Sequence, residues 1–121
     1  MSQIRVALLG ATGSIGTQTL DVARMHPDKV KIVALAAGRR VDELVASALE
    51  FGVKHVALGD SSVKDAPALA QLDRDVTVEF GPEAVARLTQ LDDVDLVLNA
   101  LSGEAGMRAS YDTLKSGRKL A

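Results

Sequence analysis

The sequence predicts a doubly wound α/β fold with a mostly parallel sheet in a single domain. Apolar, β-rich runs alternate strictly with helical patterns along the 121 residues. The connections are short, and strict strand–helix–strand alternation is typical of parallel strands covered by helices on both faces. A glycine-rich turn joins the first apolar run to the first helical pattern.

The composition is that of one ordinary globular domain. Hydrophobic residues make up 47% of the chain, and the net charge of −2 gives no reason to expect nucleic acid or an anionic membrane as a partner. The absence of cysteine excludes disulfides and thiolate metal sites and suits a cytoplasmic protein. No apolar stretch approaches the roughly 18 residues of a membrane span.

The first three elements are a strand, a helix and a strand. Ile4–Leu9 is almost entirely apolar, as expected for a central parallel strand. Ser14–Met25 has helical periodicity. Its predicted buried face comprises Ile15, Leu20, Val22 and Ala23. Val30–Ala37 is again nearly all apolar and predicts a second central strand.

The middle of the chain continues the alternation. Val41–Phe51 carries an apolar stripe at helical spacing, and Gly52 ends this helix. The stripe comprises Val41, Leu44, Val45, Ala48 and Leu49. Lys54–Leu58 predicts a third strand, and Asp65–Leu72 predicts a short helix with Pro67 in its first turn.

The last third adds two strands and two helices. Val76–Phe80 alternates polar and apolar residues, which predicts a sheet edge. Pro82–Gln90 begins with proline at a first helical position, and Val94–Ala100 predicts a central strand. A final helix is expected over about Gly106–Ser116.

The last residues suggest part of a longer chain. Gly117 is typical of a glycine that ends a helix. Lys119–Ala121 resembles the first residues of a further strand. We therefore expect this sequence to be a fragment of a larger protein.

Three glycines in "GATGSIG" predict a phosphate-binding turn. Gly10, Gly13 and Gly16 lie between the first strand and the first helix, where a bare backbone lets a diphosphate approach the helix N-terminus. Gly16 is expected to let the helix pack closely on the strand, and Thr12 and Ser14 add hydroxyl donors. The alternative is a plain glycine turn with Ser14 as the helix cap, but this position in a Rossmann-like chain favours nucleotide binding.

The end of the second strand indicates which nucleotide binds. An NAD site usually places an acidic residue there, whereas this chain has Gly38, Arg39 and Arg40. Two permanently charged, forked guanidiniums suit a 2′-phosphate, so we predict NADP(H). The alternative is a pair of solvated arginines. Asp42 and Glu43 are expected to stabilise the start of the next helix.

The loop after the fifth strand is a second candidate region. In a doubly wound sheet it lies beside the ligand crevice, so Asn99, Ala100 and Leu101 could flank the nicotinamide end of the cofactor. An equally weighted alternative is a structural loop containing Gly103 and Gly106, with Asn99 as a buried hydrogen-bonding residue.

The sequence contains no convincing catalytic pair or metal cluster. His26 and His55 lack metal-ligand spacing, and Ser102 and Ser110 have no evident base. We therefore predict no catalytic and no metal-binding residues here, and expect a chain that binds a cofactor without performing chemistry alone.

Two segments carry a family resemblance. The run "LLGATGSIGTQTLDVARMHPDKVKIVALAAGRRVDELV" and the later run "LNALSGEAGMRASYDTLKSGRKLA" resemble 1-deoxy-D-xylulose 5-phosphate reductoisomerases. The resemblance implies an NADPH-binding domain over residues 1–121. The matched phosphate-loop residues are Thr12, Gly13, Ser14 and Ile15, and the matched 2′-phosphate residues are Gly38, Arg39 and Arg40. Members of the family often have Lys and Asn at the positions where this chain has Arg39 and Arg40.

The resemblance also implies a reaction that this chain would not complete. The family isomerises a sugar phosphate and then reduces it with NADPH, using an Asn-Lys-Glu motif and carboxylates that hold Mg or Mn in a catalytic domain beyond residue 121. The parent is expected to be a cytoplasmic homodimer, and the fragment to be inactive alone. Alternatives are a semialdehyde dehydrogenase or dihydrodipicolinate reductase type of NADP-dependent oxidoreductase, or a stand-alone NADP(H)-binding sensor.

Overall fold

The computed structural model describes residues 3–121 and contains one α/β domain. The strands are β1 Ile4–Leu9, β2 Val30–Ala37, β3 His55–Leu58, β4 Thr77–Phe80, β5 Leu96–Asn99 and β6 Lys119–Leu120. The α-helices are α1 Ser14–Met25, α2 Val41–Phe51, α3 Pro82–Arg87 and α4 Gly103–Lys115. Short 3₁₀ turns cover Ser61–Val63, Pro67–Gln71 and Leu88–Gln90.

All strand pairs in the described sheet are parallel, in the order β4-β3-β2-β1-β5-β6. The predicted doubly wound fold is therefore confirmed, and β4 lies at a sheet edge as expected. The chain runs outward from β1 to β4 and then returns to the other side of β1. The strand order thus reverses between β1 and β5, and in open α/β sheets ligands bind at such a switch point, outside the carboxyl ends of the strands.

The core lies in two layers, one on each face of the sheet. Helices α1 and α2 pack with large aliphatic side chains on one face, including Leu8, Leu35 and Leu44. Helices α3 and α4 cover the other face, where β1, β2 and β3 contribute mainly alanines. Because alanine side chains are small, they leave room for α3 and α4 to approach the strands on this face.

The short helix predicted over Asp65–Leu72 is present as a 3₁₀ helix over Pro67–Gln71 and not as an α-helix. A second 3₁₀ turn, at Ser61–Val63, precedes it and was not predicted. Asp60 accepts a hydrogen bond from the Ser62 N–H and starts the first turn. Pro67 disfavours helical backbone at Ala66, which is extended at φ −63° and ψ 131°. The last helix also differs, since it begins at Gly103 and not at Gly106.

Two predicted buried faces need correction. On α1, Ile15 is 62% exposed and Val22 is 50% exposed, while Leu20 and Ala23 are buried. In the first turn of this helix Gly16 and not Ile15 is buried, so the buried side of α1 comprises Gly16, Leu20 and Ala23. On α2 the predicted stripe is buried except for Leu49.

An ion pair ties the amino ends of β1 and β5 together. The Asp95 carboxylate accepts hydrogen bonds from the Arg5 backbone N–H at 2.9 Å, from Nε at 3.1 Å and from Nη2 at 3.0 Å. The Asp95 N–H donates back to the Arg5 carbonyl at 2.8 Å. These bonds from Arg5, first from its side chain and then from its backbone, lower the pKa of Asp95 to about 2.

This shift predicts an acid-sensitive contribution to stability. The pKa of Asp95 is lower in the folded state than in the unfolded state, so the ionised carboxylate stabilises the fold. This stabilisation is fully present above the unfolded-state pKa of about 4 and is lost as pH falls through about 2. Asp95→Asn should therefore flatten the pH dependence of the free energy of unfolding within that window. Urea unfolding across the window measures it, with the exposed Asp92→Asn as the control. An unchanged slope for Asp95→Asn would contradict the prediction.

Candidate functional site

The turn after β1 is shaped by backbone contacts that leave no room for side chains. Gly10 has φ +84°, and a Cβ there would lie 2.8 Å from the Ala100 carbonyl carbon and oxygen. The N–H groups of Gly10 and Ala11 both donate to the Ala36 carbonyl at 2.9 Å. Gly10 therefore lets the turn contact the loop after β5, which brings Ala100 beside the glycine turn.

The other two glycines of the turn differ in what they face. A Cβ on Gly16 would lie 2.1 Å from the Gly10 carbonyl oxygen, so Gly16 packs on the turn itself and not on the strand, where we expected its contact. A Cβ on Gly13 would meet nothing closer than 3.7 Å, and its φ of −82° is open to any residue. Neither packing nor backbone conformation therefore requires glycine at position 13.

The N-terminus of α1 presents unused donors. Gly13 is the N-cap residue and makes no side-chain capping bond, so the alternative with Ser14 as the cap was wrong. Within residues 3–121, the N–H groups of Ser14, Ile15 and Gly16 have no hydrogen-bond partner. The first turn also contains no acidic residue. Since the helix dipole is positive here, this exposed end attracts an anion.

The two candidate arginines lie at the end of β2 and are solvent-accessible. The Arg39 side chain is 76% exposed, with Nε 3.8 Å from the Asp60 Oδ2, and Arg40 is 67% exposed, with Nε 3.9 Å from the Glu43 Oε2. Both distances exceed a hydrogen bond. The guanidinium donors are therefore held loosely and are available to a stronger anionic partner.

Asn99 organises the loop after β5. Its Nδ2 donates to the Gly106 carbonyl at 2.7 Å and to the Ser110 Oγ at 2.8 Å, and its Oδ1 accepts from the Leu101 N–H at 3.1 Å. A Cβ on Gly106 would lie 2.5 Å from the Leu101 carbonyl oxygen. Asn99 thus holds the loop in place through its side-chain hydrogen bonds. This is the structural role that the sequence left open as the alternative to contact with the cofactor.

A mostly apolar cleft of about 510 Å³ opens beside the arginine turn. Its lining comprises Ala37, Gly38, Gly59, Asp60, Ser61, Pro82, Val85, Ala86, Leu101, Ala105, Arg108 and Ala109. Of the predicted site residues, only Gly38 and Leu101 line it. Residues 59–61 could have been predicted from the sequence, because they directly follow β3. The carboxyl end of β3 lies beside that of β2, where the arginine turn begins. The residues from α3 and α4 could not be found without the packing of the helices.

The other sequence candidates do not gather into a reactive site. His55 Nε2 lies 3.8 Å from the Asp93 Oδ2 at the opposite end of β3 from the cleft. Within residues 3–121, no group of three or more His, Asp or Glu side chains is arranged to hold a metal ion. No helix in this part of the chain is both long and apolar enough to cross a membrane.

A family model matches nearly the whole chain. The model described as 1-deoxy-D-xylulose 5-phosphate reductoisomerase covers residues 6–121. The chain belongs to this family. Membership confirms the resemblance found in the sequence, and it disfavours the semialdehyde dehydrogenase and dihydrodipicolinate reductase alternatives.

Several relatives described as 1-deoxy-D-xylulose 5-phosphate reductoisomerase are about two fifths identical to the chain over the aligned residues. The protein from Mycobacterium marinum (strain ATCC BAA-535 / M) is 42% identical over 120 residues, which is 98% of this chain and 28% of the relative. The protein from Rhodococcus jostii (strain RHA1) is 45% identical over 118 residues, which is 97% of this chain and 28% of the relative. The chain therefore spans less than a third of the length of these relatives.

Solved structures of reductoisomerases have the same fold. The Zymomonas mobilis enzyme in complex with NADPH matches with a TM-score of 0.89 at 28% identity, over 98% of this chain and 31% of that one. A reductoisomerase in complex with NADPH, fosmidomycin and magnesium matches with a TM-score of 0.84 at 32% identity, over 97% of this chain and 29% of that one.

The contrast between Gly16 and Gly13 predicts different costs for the same substitution. Gly16→Ala places a methyl group against the backbone of Gly10 and should lower the free energy of unfolding by about 1–3 kcal/mol or more, as overpacking does. Gly13→Ala should have a much smaller effect. Urea denaturation of both variants measures the difference. Equal stabilities would mean that the turn relaxes to accept a side chain at position 16.

Proposed function

We propose that residues 1–121 form the NADPH-binding domain of a 1-deoxy-D-xylulose 5-phosphate reductoisomerase. The supporting observation is the uncapped N-terminus of α1 at a bare glycine turn, beside two available arginines, in a chain of this family. The Zymomonas mobilis structure that matches this chain is described as a complex with NADPH.

The diphosphate of the cofactor would bind at the start of α1. The Ser14 and Ile15 N–H groups and the hydroxyls of Thr12 and Ser14 are donors suited to phosphate oxygens. Gly13 leaves open the space through which a phosphate approaches, and Gly10 and Gly16 maintain the turn. Ile15 is exposed at this end of the helix, which suits contact with the bound cofactor.

The adenosine half would extend from this turn toward the end of β2. Arg39 and Arg40 would pair with the 2′-phosphate, exchanging distant carboxylate partners for direct hydrogen bonds. A Cβ on Gly38 would meet no atom within 4 Å, so ligand atoms have access to its backbone. The adjoining apolar cleft is suited to the purine ring.

The nicotinamide half would lie toward the loop after β5. Ala100 is held at the switch point between β1 and β5 by its contact with Gly10, and would flank the ring. Leu101, whose N–H donates to Asn99, also lines the apolar cleft and would contact the cofactor from that side. NADPH supplies the hydride of the reaction. The residues of this chain would bind the cofactor and orient it.

The full reaction would require more protein than these 121 residues. The parent enzyme would convert 1-deoxy-D-xylulose 5-phosphate into 2-C-methyl-D-erythritol 4-phosphate, in non-mevalonate isoprenoid biosynthesis. Catalytic residues and the carboxylates for a divalent metal, Mg or Mn, would lie outside this chain, which spans less than a third of its relatives. We therefore propose that the fragment is inactive alone and that the parent is a cytoplasmic homodimer without nucleic-acid or membrane partners.

Removing both arginines should change cofactor selectivity. Arg39→Ala/Arg40→Ala should weaken NADPH binding by about 10- to 100-fold, the range expected for lost hydrogen bonds between charged groups, and should barely affect NADH. Fluorescence titration with each cofactor measures both affinities. The control is Arg74→Ala/Arg87→Ala, which removes the same charge elsewhere on the surface. An equal loss for NADH would mean that Arg39 and Arg40 support the fold and not the 2′-phosphate.

Filling the glycine turn should block both cofactors. Gly13→Val places a branched side chain where a phosphate would approach, so it should abolish binding of NADPH and NADH while the domain stays folded. Binding is measured by the same titration, with thermal unfolding to check the fold and Gly13→Ala as a milder variant. Undiminished binding by Gly13→Val would place the phosphate site elsewhere.

A further inference from the structure

The apolar cleft beside the arginine turn contains one carboxylate. Among its lining residues, Asp60 is the only acidic side chain and Arg108 the only basic one. Alanine, valine, leucine, proline and glycine form most of the remaining wall. A single carboxylate in an otherwise apolar cleft is a specific acceptor for a ligand that presents a hydrogen-bond donor.

Asp60 is held in place, together with the preceding Gly59, by backbone hydrogen bonds. Its N–H donates to the Gly38 carbonyl at 3.0 Å, and the preceding Gly59 N–H donates to the Ala37 carbonyl at 2.8 Å. Its Oδ1 accepts the Ser62 N–H at 2.9 Å. These bonds join the ends of β2 and β3 and fix the backbone and the Oδ1 of Asp60, a residue that lines the cleft.

The second oxygen of this carboxylate has no backbone donor and no close cationic partner in the part of the chain that the structure describes. Within residues 3–121, Oδ2 accepts no hydrogen bond, and its nearest cationic partner is the Arg39 Nε at 3.8 Å. The Ser62 hydroxyl and N–H, and more weakly Arg39, lower the pKa of Asp60, so the group is ionised at neutral pH. Asp60, a residue of the cleft lining, therefore retains an ionised carboxylate oxygen with no hydrogen-bond donor at close range among the described residues.

The geometry points to a role for Asp60 in selecting the purine base. We propose that Asp60 Oδ2 accepts a hydrogen bond from the exocyclic amine of adenine, so that the domain binds adenine dinucleotides in preference to 6-oxopurine dinucleotides. This inference rests on the proposed function, because it assumes that the purine of NADPH occupies the cleft. Hypoxanthine presents a carbonyl oxygen where adenine presents the amine, and two facing acceptors repel each other.

The competing explanation is that Asp60 acts only through its neighbours. It caps the 3₁₀ turn at Ser61–Val63 and lies near Arg39, so removing it could alter the turn or the charge around the 2′-phosphate. Either effect would change the affinities for adenine and hypoxanthine cofactors by the same factor. The ratio of the two affinities therefore separates base recognition from both indirect roles.

Asp60→Asn tests the proposal without removing the cap. The amide oxygen retains an acceptor for the Ser62 N–H, and the amide NH₂ then faces the purine as a donor. The wild-type chain should bind NADPH about tenfold or more tighter than reduced nicotinamide hypoxanthine dinucleotide phosphate, as expected for a hydrogen bond to a charged group. In Asp60→Asn the preference should disappear or reverse. Both dissociation constants are measured by titration of the 121-residue chain.

Glu43→Gln is the matched control. Glu43 lies near Arg40 as Asp60 lies near Arg39, but it does not line the cleft. Its substitution removes the same charge beside the same turn, so both affinities should change together and their ratio should stay at the wild-type value. Thermal unfolding verifies that both variants fold.

The outcomes separate this inference from the proposed function. If wild-type protein binds NADPH and Gly13→Val abolishes binding, but Asp60→Asn keeps the wild-type preference for adenine, the role of Asp60 is overturned and the proposed function stands. If Glu43→Gln lowers the preference as much as Asp60→Asn does, the effect is one of charge and the inference is also overturned. If wild-type protein binds neither cofactor, both the proposed function and the inference fail.

Discussion

The close approach of backbone segments around Gly10 is the constraint on which the candidate site depends. The Gly10 carbonyl lies where a side chain at Gly16 would be, and the space of a Gly10 side chain is taken by Ala100. These contacts bring the end of β1, the start of α1 and the loop after β5 together. The location of the site at the β1–β5 switch point is therefore a consequence of packing between backbones.

The same pair of strands is secured at its other end by charge. Arg5 and Asp95 join the amino ends of β1 and β5, while Gly10 and Ala100 meet at their carboxyl ends. Between these two contacts the strands pair in parallel from Val6 with Leu96 to Leu9 with Asn99. A pair anchored at both ends provides a rigid base for the loops that carry the site.

The electrostatics of the site combine backbone and side-chain contributions. The start of α1 offers unpaired N–H groups and the positive end of a dipole, while Arg39 and Arg40 add two full charges beside it. Nearby carboxylates contact these arginines only loosely, so little interaction is lost when an anion takes their place. In the proposed complex, Asp60 would then remain available to contact the base.

The sequence by itself determined the strand–helix alternation, the parallel sheet, the glycine turn and the arginine pair. These features depend on local periodicity and on residue types with a strong conformational or charge preference. Only the tertiary structure decided that Gly16 and not Ile15 faces the core, that α1 has no side-chain cap, and that Asp60 and Arg108 line one cleft. Asp60 and Arg108 are far apart in the chain, and their proximity depends on how α4 packs across the sheet, which local sequence patterns do not encode.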